Sequence, residues 1–129
     1  KEGLTEKIIF SGLIKKEELK NYLAAGDIYV GASQSETQGM NMSEAMYLGL
    51  SIVAVKATGT NSLVKNGENG LLVPENAKEF CRAVEKLIND SDLRKSMSLA
   101  SAKIARENFT DEVCAHQMLE IYQKLLAKK

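Results

Sequence analysis

Apolar and polar positions along this chain fall into short blocks whose period switches between strand-like and helix-like. Lys7-Ile8-Ile9-Phe10 is an apolar run stopped by Ser11-Gly12, the pattern of a buried strand entering a loop. Within residues 15–25, Leu19, Tyr22 and Leu23 recur at helical spacing, and Gly26 supplies a stop. Residues 27–31 predict a second short strand, 32–40 a polar loop and 41–48 a helix closed by Gly49. Ser51-Ile52-Val53-Ala54-Val55 has the unbroken β-branched content of a strand buried on both faces of a parallel sheet. Gly59-Thr60-Asn61 reads as a turn before a short helical piece, and residues 66–70 as a turn into the strand Leu71-Leu72-Val73.

Three helices are predicted to finish the chain. Asn76, with Glu79 three residues on, resembles a capping arrangement ahead of the stripe Phe80, Val84, Leu87 and Ile88. Residues 89–92 break that helix, and Leu93, Met97, Ala100 and Ile104 stripe the next. The last begins near Thr110, where Asp111 and Glu112 favour the positive end of the helix dipole, and its stripe is Ala115, Met118, Leu119, Tyr122, Leu125 and Leu126. Strands alternating with helices predict an α/β fold with a doubly wound parallel sheet.

Composition narrows the partners. The 129 residues suit one core, with 44% apolar residues. Seventeen basic and seventeen acidic side chains cancel, so the chain lacks the basic excess that draws proteins to nucleic acid. No apolar run reaches the ~18 residues of a membrane span. Cys81 and Cys114 form no close-spaced motif and read as reduced, packed thiols in a cytoplasmic setting. His116 reads as a partly exposed helical residue and the five Met as gap-fillers.

In parallel sheets ligands bind beyond the carboxyl ends of the strands, which directs attention to the loop after residue 31. One glycine, Gly39, stands directly before a helix, so amides near Gly39, Met40 and Asn41 would face a bound anion, helped by the dipole. A neutral protein can hold a diphosphate in this way. Glu36 and Glu44 flank the helix start, and ionised carboxylates accept hydrogen bonds from sugar hydroxyls. The residues alone leave a second reading open, in which Glu36 is a solvated loop residue and Glu44 only complements the dipole.

With their surroundings these residues carry a resemblance. Ser35-Glu36-Thr37-Gln38-Gly39, seven residues between Glu36 and Glu44, Glu44-Ala45-Met46, Gly49, Val53-Ala54 and the stretch 66–73 resemble the donor-binding half of the retaining nucleotide-sugar glycosyltransferases of the GT-B fold, group 1 or family 4 type. Ile9-Phe10-Ser11-Gly12 and residues 22–28 are similar to the segments that precede this motif in that family. The resemblance implies that Glu36, the catalytic-site candidate, contacts donor-sugar hydroxyls and that Glu44 binds the ribose. It further implies that Gly39, Met40 and Asn41 meet sugar and diphosphate, and that Gly12 and Leu13 run beside the nucleobase. It implies transfer with retention and without a metal or other cofactor.

The Ser-Glu-Thr-Gln-Gly spelling looks most like bacterial enzymes that glucosylate diacylglycerol, with UDP-glucose or a related UDP-sugar as donor and a glycolipid or polysaccharide as product. Ser51 stands where the family usually has Pro, and residues 56–61 are an unusual version of the following loop. The resemblance also implies two further βα units and an acceptor domain ahead of this sequence. The expectation is therefore a partial C-terminal nucleotide-sugar-binding domain over residues 1–129, truncated at its N-terminal side and inactive alone. Lys15, Lys16, Lys124, Lys128 and Lys129 suit peripheral contact with an anionic bilayer if the acceptor is a lipid, and read equally well as scattered solvated lysines. The rival expectation is a non-catalytic interaction module of the same fold.

Overall fold

A computed structural model describes residues 3, 4, 6–35, 37 and 39–127. Three parallel strands, β1 (Ile28–Gly31), β2 (Ser51–Val55) and β3 (Gly70–Val73), lie side by side in chain order. Val30 sits opposite Val53, and Val53 opposite Leu71. Around them run α1 (Lys16–Ala24), α2 (Met40–Tyr47), α3 (Thr58–Leu63), α4 (Ala77–Asn89), α5 (Ser91–Asn108) and α6 (Asp111–Leu126).

The period-2 alternation of β2 sorts the core into two layers. Ile52 and Ala54 pack with Met42, Ala45 and Met46 of α2 and with Ile104 and Ala105 of α5. Val53 and Val55 point the other way, onto Ala83 and Leu87 of α4 and Met97 of α5. Every residue of β2 is buried, as its unbroken apolar run predicts. Ser51, in the place of the expected Pro, is tolerated there because its hydroxyl donates to the Asp27 carbonyl at 3.3 Å.

The helix ends carry the chemistry that the sequence announces. Asn76 Oδ1 accepts from the amides of Lys78 (3.0 Å) and Glu79 (3.1 Å), starting α4. Asp90 caps α5 through the Leu93 amide at 2.9 Å, and Arg94 turns back to donate to the Leu87 (2.6 Å) and Ile88 (3.1 Å) carbonyls that α4 leaves open. Buried Asn69 closes the turn between α3 and β3, accepting from the Lys65 amide at 2.7 Å and donating to the Leu63 carbonyl at 3.2 Å. Gly70 follows, packed so tightly on β2 that a Cβ would stand 2.5 Å from the Ile52 carbonyl oxygen.

Four expectations are corrected. Residues 7–10 form no strand: the amides of Lys7 and Ile8 turn back to the Leu4 carbonyl, and Ile9 and Phe10 are about nine-tenths exposed. A strand needs a neighbour to take its backbone groups, and among the described residues none lies beside this segment. The turn placed at Gly59-Thr60-Asn61 is already inside α3, because the Thr60 hydroxyl takes the Ala57 amide at 2.7 Å and starts the helix early. Cys81 and Cys114 are exposed rather than packed. The apolar stripe of α6 is left half exposed or more in the described chain, and that helix buries no residue.

Candidate functional site

The ligand end of the sheet is built by the step from β1 into α2. Gly39 is buried at the N-cap of α2 with φ 60° and ψ 36°, a left-handed conformation that disfavours any side chain with a Cβ. Among the described residues no side-chain hydrogen bond caps the helix, and no carboxylate stands within its first turn to offset the positive end of the dipole. Met40 and Asn41 occupy that turn with exposed side chains, and the Ser43 hydroxyl donates to the Met40 carbonyl at 2.8 Å. Glu44 stands one turn further on, exposed, while Ala45 and Met46 beside it are sealed into the core. The amphipathic pattern of α2 thus fixes which way Glu44 faces.

Glu44 lines a cavity of about 360 Å³ between α1 and α2. Lys16, Leu19, Lys20 and Leu23 form one wall, Ser43, Tyr47 and Leu48 share the other with Glu44, and Phe109 from the α5–α6 junction closes one side. The cavity is apolar below and charged at the rim, with two ammonium donors opposite one carboxylate. The Arg106 guanidinium lies 5.5 Å from the centre of the Tyr47 ring, pinning that wall to the last turn of α5. A second cavity, of about 430 Å³, opens at the carboxyl ends of the strands among Ala32, Gln34, Val55, Asn76 and Phe80.

Of the residues singled out in the sequence, Gly39, Met40, Asn41 and Glu44 come together on one helix start. Gly12 and Leu13 sit in the exposed segment before α1 and do not line the cavity at Glu44. Glu36 lies outside the described residues. Lys16, Lys20, Tyr47 and Phe109 join the cavity without belonging to the motif that the sequence shows. The i, i+4 pairing of Lys16 with Lys20 beside Leu19 and Leu23 was the available signal for two of them, whereas nothing in the sequence placed a helix-junction phenylalanine next to α2. Among the described residues no three His, Cys, Asp or Glu side chains stand close enough to share a metal ion, and no helix is long and apolar enough to cross a membrane.

Residues 1–104 match the family described as glycosyl transferases group 1. The chain belongs to that family. The alpha-D-kanosaminyltransferase of Streptomyces kanamyceticus is 27% identical over 124 residues, which cover 95% of this chain and 32% of that enzyme. Sucrose-phosphate synthase from Thermosynechococcus elongatus superposes with a TM-score of 0.87 at 28% identity, over 98% of this chain and 32% of that one. HepE of Anabaena, solved in complex with UDP-glucose, gives 0.85 at 27% identity, over 95% of this chain and 34% of its own. The sheet and its helices are thus the α/β arrangement of GT-B glycosyltransferases, and this chain spans about a third of the length of these relatives.

Proposed function

We propose that this chain is the donor-binding part, from the C-terminal domain, of a retaining glycosyltransferase that moves a hexose from a UDP-sugar to a lipid or saccharide acceptor. The observation that carries the reading is the start of α2. The helix start, entered through left-handed Gly39, is followed one turn later by a carboxylate on a cavity wall. In this arrangement the diphosphate meets the amides of Gly39, Met40 and Asn41, and Glu44 accepts hydrogen bonds from the two ribose hydroxyls. Glu36 takes the hydroxyls of the sugar, and Gly12 and Leu13 border the base. Preorganised donors stabilise the leaving diphosphate as its charge develops, which needs no metal.

A UDP-glucose complex of a structural neighbour at 27% identity supports the choice of donor. The Ser-Glu-Thr-Gln-Gly spelling supports a diacylglycerol-type acceptor, met at the inner face of a membrane by the surface lysines. The acceptor site and the remaining diphosphate contacts belong to polypeptide outside these residues, so the chain alone binds donor weakly and transfers nothing.

Millimolar UDP is expected to shift the amide resonances of Gly39 to Glu44, and Glu44→Ala to weaken the effect at least several-fold. Unmoved resonances at saturating UDP would sink the donor reading and leave the non-catalytic module of the same fold.

A further inference from the structure

We infer that Lys16 reads the base of the bound nucleotide, its ammonium donating to the carbonyl oxygen that distinguishes uracil from cytosine. The inference rests on the donor site proposed above and adds to it the residue that selects the nucleobase.

Topology brings Lys16 to the ligand end of the sheet. Residues 25–27 turn α1 into β1, residues 48–50 turn α2 into β2, and the two strands are parallel. A helix joined to its strand by so tight a turn runs back against the strand direction, so α1 and α2 both start at the carboxyl ends of the strands. Lys16 is the first residue of α1 and therefore stands level with the first turns of α2. Its side chain lines the cavity of about 360 Å³ together with Ser43 and Glu44. Lys20 lies one turn further from the strand ends.

The order of groups in a nucleotide decides which of them reaches this wall. The diphosphate leaves the ribose from C5′ and the base from C1′, on either side of the ring oxygen, while the two hydroxyls occupy the opposite edge. With the diphosphate on the start of α2 and the hydroxyls on Glu44, the base extends away from the α2 start toward the facing wall. That wall is α1, and at this level it presents Lys16, three residues beyond Leu13. Lys16 is exposed, and among the described residues no carboxylate stands within ion-pair distance of it. An ammonium offers donors and no acceptor. Position 4 of the pyrimidine carries a carbonyl oxygen in uracil and an amino group in cytosine, so Lys16 rewards the first and is left without an acceptor by the second.

The test is titration of the 129-residue chain with UDP and with CDP, which differ only in the base, followed through the amide resonances of Gly39 to Glu44. UDP is expected to bind about fivefold more tightly, the worth of one charge-assisted hydrogen bond at an exposed site. Lys16→Met is expected to bring the ratio close to unity, with the main loss on UDP. Lys16→Glu is expected to reverse it, because a carboxylate accepts from the cytosine amino group. Lys15→Met removes the same charge one residue earlier and off the cavity wall, and is expected to keep the ratio of the parent chain. Equal binding of UDP and CDP by the parent chain, an unchanged ratio in Lys16→Met, or a preference for UDP kept by Lys16→Glu overturns the role of Lys16 and leaves the donor site standing. A ratio lost equally in Lys15→Met would trace it to distant charge and overturn that role as well. Amides that respond to neither nucleotide overturn the donor site along with it.

Discussion

At the scale of single residues, the site depends on positions whose neighbours leave no choice. Gly39 is required by its left-handed backbone, and Gly70 by the Ile52 carbonyl against it. Gly70→Ala is expected to destabilise the fold by ~3 kcal/mol or more, because the Ile52 backbone must shift away from the new Cβ and β2 is central to both core layers. Urea unfolding monitored by circular dichroism checks this, and a loss under ~1 kcal/mol would mean the β2–β3 contact is looser than it looks. Gly39 was legible as the entry to α2, since a lone glycine directly ahead of a helical stretch marks its start. Gly70 was not: its necessity comes from strand register, which the order of residues 66–73 does not spell out.

At the scale of elements, the helices divide into those that make the core and one that does not. Periodicity revealed α4 and α5, and the capping arrangement of Asn76 marked the start of α4, whereas residues 89–92 read only as a break and the structure shows Asp90 within it capping α5. The stripe of α6 was equally clear and misled about packing. Periodicity shows which face of a helix seeks cover, whereas what covers it depends on the rest of the molecule. The segment 7–10 failed for the same reason, since strand-forming residues need a partner that the local sequence cannot supply. Removing α6 by ending the chain after Thr110 is expected to change the melting temperature by only ~2 °C, because the helix buries no side chain. A fall of ten degrees or more in a thermal melt would show that α6 supports the core after all.

At the scale of the whole molecule, family membership and the parallel sheet follow from the order of motifs, and the match over residues 1–104 agrees with it. What the linear order could not give is the cleft. Lys16, Glu44 and Phe109 are far apart in the chain, and only the packing of α2 on α5 brings the third to the first two. The ion pairs of the described residues are all local and exposed: Lys65 with Glu68, Lys103 with Glu107, and His116 and Lys124 with Glu120. Exposed pairs of this kind stabilise weakly, so the core layers on either side of β2 carry the cohesion.

The contrast between sealed β2 and uncovered α6 has a consequence in time as well as in space. Amide protons exchange with solvent through local openings, whose free energies range from near zero to that of global unfolding. Deuterium is expected to enter α6 within the first seconds of labelling, reach α1 next, and penetrate Ile52, Val53 and Ala54 only when the whole chain opens. A protease acting on the native protein would follow the same gradient and cut first around Phe109 and Thr110, leaving the α2 helix start and Glu44 in one intact piece.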